Sequence, residues 1–456
     1  MTRLLKLFVL AVILLQVSCR SLPLSDEQAE AVTAWLQVEQ EHRDDPAELG
    51  LAAGMDRQES EQSAQALWAL YAEQVEDPDL GELPMSLQDA VAKAEGGRVQ
   101  LQGGQLQLGD NLNMPYAILR KEASPPAEAG RALFICTHGG GGNGKVDGPH
   151  AWPVNTREWQ TQIQLAAKAY APEGIYFVPR MVDDRKGRWY HGFNHVAFER
   201  VIEHAIAHWG VDPNRVYKLG ISQGGFGSNK LVTFMPDRFA GANPMAGGVN
   251  PDKHPPMNLR NVAFRNDVGE KDTMFDRVGN AIKFHDRLDA LYASDPDGYQ
   301  HAINVQKGRG HGIDYRPGVA WIAEHTRTPW PSRLAWDSRE LGGERRTRHY
   351  WIELNPEPAD VRTLLQASVD ADTNTIEITL QIAEDDKLAP FSSGRLRVLL
   401  HDALLDLDQP VKVLVNNRVM HDGPVKRDAA VQLRTLAGYG DPSMVAAAEL
   451  LFDFDE

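Results

Sequence analysis

The chain has 456 residues, too many for one small domain, and its 42% apolar and 24% charged content is that of a globular protein. The net charge of −16 excludes a general basic surface for nucleic acid or anionic lipid. Two cysteines are too few for a disulfide scaffold; Cys136 lies in an apolar run and reads as a small buried side chain.

Residues 1–19 read as a signal peptide. Arg3 and Lys6 lead into an unbroken apolar run over 7–15, too short to span a bilayer comfortably. Val17-Ser18-Cys19 resembles the end of a bacterial lipobox, in which Cys19 is lipidated and becomes the mature N-terminus, although Gln16 stands where leucine is usual. The expected location is therefore outside the cytoplasm: periplasmic or membrane-anchored through Cys19, otherwise secreted.

From 20 to 97 the chain reads as a helical segment. Ser25-Asp-Glu-Gln28 is a capping box ahead of Val32, Trp35 and Leu36; a second helix carries Leu67, Leu70, Tyr71 and Val75; a third starts at Ser86. No polar cluster there suggests chemistry, and the helices are expected to cover one side of the next domain. At Arg98 the texture changes. Val99, Leu101, Leu106 and Leu108 alternate with polar residues about Gly103-Gly104, the pattern of a hairpin turning at the glycine pair.

Strands follow at 114–120 and 132–137, the second running into His138-Gly-Gly-Gly-Gly142. Asn155-Thr-Arg-Glu158 reads as the cap of a helix bearing Trp159, Ile163, Ala167 and Tyr170. A strand at 175–178 and a helix through Val201, Ile202, Ala205, Ile206 and Trp209 come next. After an apolar strand at 216–219, further strands are expected at 239–243 and 261–266, a helix over 273–292, a last strand at 301–306, and an exit at Thr328-Pro-Trp-Pro331. Strands alternating with helices predict parallel βαβ units, a sheet covered on both faces. From 333 the pattern is all-β. Ile376, Ile378, Leu380 and Ile382 alternate strictly, as do Val411, Val413 and Val415 before an Asn416-Asn417 turn, so a small sandwich over 345–430 is expected.

Gly220-x-Ser222-x-Gly224 joins the 216–219 strand to a helix-compatible segment. Such a turn exposes the side chain at its apex, and flanking glycines let it close. Alone, the pentapeptide fits a Gly/Ser-rich loop equally well. Two later loops weigh against that: Gly269-Glu-Lys-Asp272 follows one strand and Gly310-His311-Gly312 follows the last, at the edge where open α/β sheets gather ligands. Together with His138-Gly-Gly-Gly-Gly142 and Asp212-Pro-Asn-Arg215, these motifs resemble α/β-hydrolase superfamily serine hydrolases, among them secreted esterases, poly-hydroxyalkanoate depolymerases and prolyl-oligopeptidase-like catalytic domains. The resemblance covers 98–331. It implies an α/β-hydrolase fold there, a mostly parallel sheet with helices on both faces, between the N-terminal helical segment and a C-terminal β-rich domain over 332–456.

A serine hydroxyl is a poor nucleophile without a base in reach. His311 is the candidate base for Ser222, and Asp272 the acid that would orient it. Asp267 lies nearer its strand end and remains the alternative; Asp276 fits a Thr273-x-x-Asp276 capping box. The oxyanion donors would be the amide of Gln223 and one from the run Gly139, Gly140, Gly141, with His138 structural in that turn. His285 falls in a helix and His301 at a strand start. His191, His195 and His204 do not share a helical face, so no metal or cofactor is expected. Trp152, Trp189 and Tyr190 are candidate substrate contacts, the alternative being that they pack. The expectation is an exported serine esterase acting on a small or oligomeric ester through an acyl-enzyme. A prolyl-oligopeptidase-like peptidase, and a surface binding lipoprotein with an inert hydrolase domain, are the alternatives.

Overall fold

A computed structural model describes residues 24–92, 101–109, 111–122, 130–384 and 387–454; the leader and Cys19 lie outside them. At the centre is an eight-stranded sheet: β1 (Gln102–Gln107), β2 (Asn113–Lys121), β3 (Arg131–Thr137), β4 (Gly174–Pro179), β5 (Val211–Ile221), β6 (Gly241–Met245), β7 (Ala263–Gly269) and β8 (His301–Gln306). The spatial order is β1-β2-β4-β3-β5-β6-β7-β8. β1, β2 and β4 pair antiparallel, and every later neighbour pair is parallel.

Period-two alternation in β3 explains the layers. Leu133 and Ile135 face one core with Val201 and Ile202 of helix α5 (Gly192–His208) and Phe284 of α7 (Arg277–Ser294). Phe134 and Cys136 face the other, with Ala166 of α4 (Pro153–Lys168) and Val319 and Ile322 of α8 (Pro317–Ile322). Phe134 stacks on Tyr176 and Tyr217 of the two flanking strands, at 4.6 and 5.0 Å between centroids. Cys136 is fully buried here, and its thiol is pushed far up by burial, as a packing residue's would be.

The hairpin does not turn at Gly103-Gly104. Both glycines lie inside β1, and beyond its end the Leu108 amide donates to the Leu112 carbonyl at 2.9 Å. The pair is needed because Tyr116 crosses it: a Cβ on Gly104 would lie 2.6 Å from the Tyr116 hydroxyl oxygen.

The N-terminal helices also differ from expectation. The boxes Ser25/Gln28 and Asp56/Glu59 cap α1 (Asp26–Leu36) and α2 (Arg57–Gln74), and α3 spans Leu87–Ala92. Val32, Leu36 and Leu67 pack mainly on Leu433 and Leu436 of α9 (Ala429–Tyr439), from the other end of the chain. Tyr71 then reaches the hydrolase domain through Glu203 of α5. The segment is thus a bracket between two domains rather than a cover for one.

The sandwich starts earlier and ends later than 345–430. One sheet holds β9 (Arg333–Asp337), β12 (Arg362–Asp370), β13 (Thr375–Glu384), β14 (Lys387–Pro390), β16 (Val411–Val415) and β17 (Arg418–Gly423). The other runs β10 (Arg348–His349), β11 (Ile352–Pro356), β15 (Gly394–Leu400) and β19 (Ala448–Phe454), while the short strand β18 (Arg427–Asp428) pairs with Ala53–Met55. Asn416 and Asn417 both take positive φ in the tight β16–β17 turn, as asparagine tolerates. A core around Trp351, Leu365, Ile378 and Val398 fills the space between the sheets.

Candidate active site

Ser222 sits between the end of β5 and helix α6 (Gln223–Phe234), with φ 57° and ψ −111°, a strained conformation for a residue with a Cβ. Small residues make the strain possible: a Cβ on Gly224 would lie 2.1 Å from the Thr137 carbonyl oxygen, so α6 enters directly against β3. The Ser222 amide donates to the Met245 carbonyl at 2.8 Å, tying the apex to β6. Beneath it lies the fully buried Lys218, whose Nζ donates to Thr137 Oγ1 (2.7 Å), Leu219 O (3.1 Å) and Ser228 Oγ (3.1 Å). Burial pushes this ammonium down to about 7.

His311, on the loop after β8, brings Nε2 to 3.0 Å from Ser222 Oγ and Nδ1 to 2.7 Å from Asp272 Oδ2. The imidazole side chain is 46% exposed and the carboxylate 2%. An Nδ1–H donating to Asp272 leaves Nε2 with its lone pair toward the serine hydroxyl, the tautomer a general base needs. Asp272 is fixed in turn by Arg277 Nη1 at 3.0 Å from Oδ1, from the first residue of α7. Asp267 is elsewhere engaged. Buried, it takes bonds from Asn243, Arg265 and Asn304, so the carboxylate facing His311 is that of Asp272. The expected Thr273/Asp276 box is not formed: Asp276 is an αL residue starting α7 without a side-chain cap, after an exposed Phe275 that also has positive φ.

The amide of Gln223, first residue of α6, has no acceptor within its helix and lies beside the Ser222 side chain. On the other side the 139–141 backbone comes close: a Cβ on Gly139 would be 3.4 Å from Ser222 Cβ. The Gly141 amide is already used, donating to Asn155 Oδ1 at 3.0 Å. Among the described residues the amides of Gly139 and Gly140 have no hydrogen-bond partner. Asn155 is not the helix cap expected; Trp152 is at the cap, and Asn155 is buried within the first turn of α4. Its Nδ2 donates to Gly141 O (2.9 Å) and Asp184 Oδ1 (2.6 Å). Burial raises Asp184, but bonds from Arg180, Asn155 and the Trp152 amide outweigh it and hold the carboxyl below its usual range.

His138 is buried and held near 3 by desolvation, hence neutral; Nδ1–H donates to Gly139 O and Nε2 accepts from the Met181 amide. Trp189 does not line the cleft. It is fully buried, donates Nε1 to His138 O at 2.9 Å and meets the His138 ring edge-on. Trp152 and Tyr190 are half-buried, the latter under the Lys230 ammonium at 3.8 Å. His191, His195 and His204 part company: His191 precedes α5, His195 pairs with Glu344, and His204 bonds Gly81 O. Asn155, Asp184 and Lys218 escaped the sequence reading because each acts through a partner far along the chain, and Arg277, five residues from Asp272, because no local pattern marks that pair; a buried lysine in an apolar strand was the one visible signal.

A mixed eight-stranded sheet in this order, helices on both faces, a strained serine at the β5–α6 turn, and loops after β7 and β8 supplying acid and histidine decide the fold. It is that of the α/β-hydrolases. No protein-family model and no curated protein matches the chain. Among solved structures it is similar to a thermostable esterase (TM-score 0.38, 17% identity, 50% of this chain and 63% of that one). It is also similar to the poly(3-hydroxybutyrate) depolymerase LpqC from Bordetella parapertussis (0.34, 15%, 53% and 92%) and a carboxylesterase from Mesorhizobium loti (0.32, 18%, 49% and 97%). The fold assignment rests on the strand order and the elbow.

Proposed function

We propose that the protein is an exported serine hydrolase that cleaves carboxylic esters through an acyl-enzyme on Ser222. The observation that carries this is the continuous relay of Ser222, His311 and Asp272, with two contacts of 3.0 and 2.7 Å beside open backbone amides. In the first half-reaction Ser222 Oγ bonds the ester carbonyl carbon while His311 Nε2 takes its proton. The negative oxygen is placed against the amides of Gln223 and of Gly139 or Gly140, each worth about 3 kcal/mol of transition-state stabilisation. The carbon–oxygen bond to the leaving alcohol breaks as Nε2 returns the proton to that oxygen. Water then repeats the sequence, releasing the acid and restoring Ser222. Asp272 stabilises the transient imidazolium without taking its proton.

Export follows from the basic, apolar leader over 1–19, with lipidation at Cys19 as the anchored form; among the described residues no helix is long and apolar enough to cross a membrane. The test is Ser222→Ala with p-nitrophenyl short-chain esters and a fluorophosphonate label. Turnover and labelling should both vanish while the melting temperature stays within a few degrees. Retained turnover refutes the proposal.

A further inference from the structure

We propose that the cleft where the N-terminal segment, α5 and the C-terminal domain meet is a binding site for a small organic polyanion, one bearing a phosphate or several carboxylates. The cleft has a volume of about 560 Å³, and none of Ser222, Asp272 and His311 lines it. In a chain of net charge −16, six arginines line this one space: Arg43, Arg200, Arg238, Arg345, Arg346 and Arg348.

Three of the six are neutralised by carboxylates. Arg238 and Arg346 share Glu199, with Asp441 also beside the first and Asp237 beside the second, and Arg200 pairs with Asp77 and Asp79. The other three donate to backbone carbonyls: Arg43 to Leu36 and Val38, Arg345 to Ser338, Arg348 to Tyr350 and Met444. A carbonyl satisfies an N–H without cancelling the charge, and a guanidinium cannot shed its proton. Two further acids line the cleft. Glu344 pairs with His195, and Glu203 is bonded by the Tyr71 hydroxyl, its carboxyl raised by burial. Burial holds His195 below its usual range, so it adds no cation, and three cations thus face two carboxylates, Glu203 and Glu344, without a cation of their own.

The cleft wall is also built to hold guanidinium charge in place. Tyr439 carries Arg238 over its ring at 4.1 Å and Arg348 at 4.0 Å. The Arg238 side chain is 4% exposed; its Nη1 lies 4.0 Å from Asp441 Oδ2 and has no hydrogen-bond partner among the described residues. Arg348, buried and bonded only to carbonyls among the described residues, is held out of water without a paired carboxylate; that is costly, and an entering anion with several oxygens recovers the cost by accepting forked guanidinium bonds. Because Gln40, Arg43 and α2 of the N-terminal segment, α5, and α9 all border the space, such a ligand would also join the three parts of the chain.

The test is isothermal titration calorimetry of the full chain with inorganic phosphate and with citrate, each against sodium chloride at matched ionic strength. One of the two anions should bind with one-to-one stoichiometry, and its Kd should weaken at least tenfold in Arg348→Met and in the rim double variant Arg43→Gln/Arg345→Gln. Binding by phosphate points to a phosphate-bearing ligand, binding by citrate alone to a polycarboxylate. No heat beyond that of chloride for either anion overturns the proposal, as does an unchanged Kd in the rim variant. Should Arg348→Met fail to fold, the rim variant decides alone.

Discussion

Asn155 offers the sharpest test of how the oxyanion side of the site is held. Its carboxamide accepts from the Gly141 N–H, donates to the Gly141 C=O and also donates to a third group, Asp184. Asn155→Leu keeps much of the volume but leaves the buried Gly141 N–H and C=O without this partner. A buried polar group left unsatisfied costs about 1–3 kcal/mol, so the pair predicts a stability loss of about 2–5 kcal/mol. The functional loss is separable. If the loop relaxes and withdraws the Gly139 or Gly140 amide, about 3 kcal/mol of transition-state stabilisation goes with it, about a hundredfold in kcat. KM should change little, because the donors serve the oxyanion more than the ground-state carbonyl. Steady-state kinetics with p-nitrophenyl butyrate, paired with thermal melts, read both quantities. A folded variant whose kcat stays within threefold of the parent refutes the view that Asn155 sets the oxyanion loop.

Arg277→Met removes the second bond that fixes Asp272; kcat should fall about tenfold with KM steady, and Arg277→Lys should recover part of it, as ester kinetics across pH will show. Trp189→Ala should cost about 3–5 kcal/mol of stability by denaturant titration while leaving the preference among ester chain lengths unaltered, since the ring is core and not cleft. Acid should destabilise the protein from an unusually high pH. Burial holds His138 and His285 near 3 and His349 near 4, whereas the unfolded chain takes up protons at about 6.5. Between those values the unfolded state binds more protons, so stability is full above 6.5 and falls as pH drops through the window. Each histidine contributes on the order of 2 kcal/mol of loss by pH 5. A melting temperature flat from pH 7 to 5 contradicts this.

Much of the hydrolase domain was legible because its signals are local. Strand Leu133–Cys136 alternates between two cores, the elbow announces itself by glycines around Ser222, and Asp272 and His311 stand in glycine-bearing loops after strands. The Ser25 box likewise involves residues three apart.

What pattern could not decide was which distant groups meet. Gly103-Gly104 looks like a turn until Tyr116 is seen lying across it, and Asn155 looks like a cap until Gly141 and Asp184 are found against its amide. Asp267 and Asp272 are five residues apart at one strand end; only the facing elements, Asn243 and Asn304 for one and His311 for the other, separate them. The amphipathic stripe of α2 likewise specified that a face would be buried but not that its cover would come from α9, more than 350 residues later. Periodicity and turn chemistry act over a few residues and fixed the elements and the elbow. The acid facing His311, the Asn155 clamp on the Gly141 loop and the arginine-lined cleft depend on contacts across the chain, which come into being only once the domains pack.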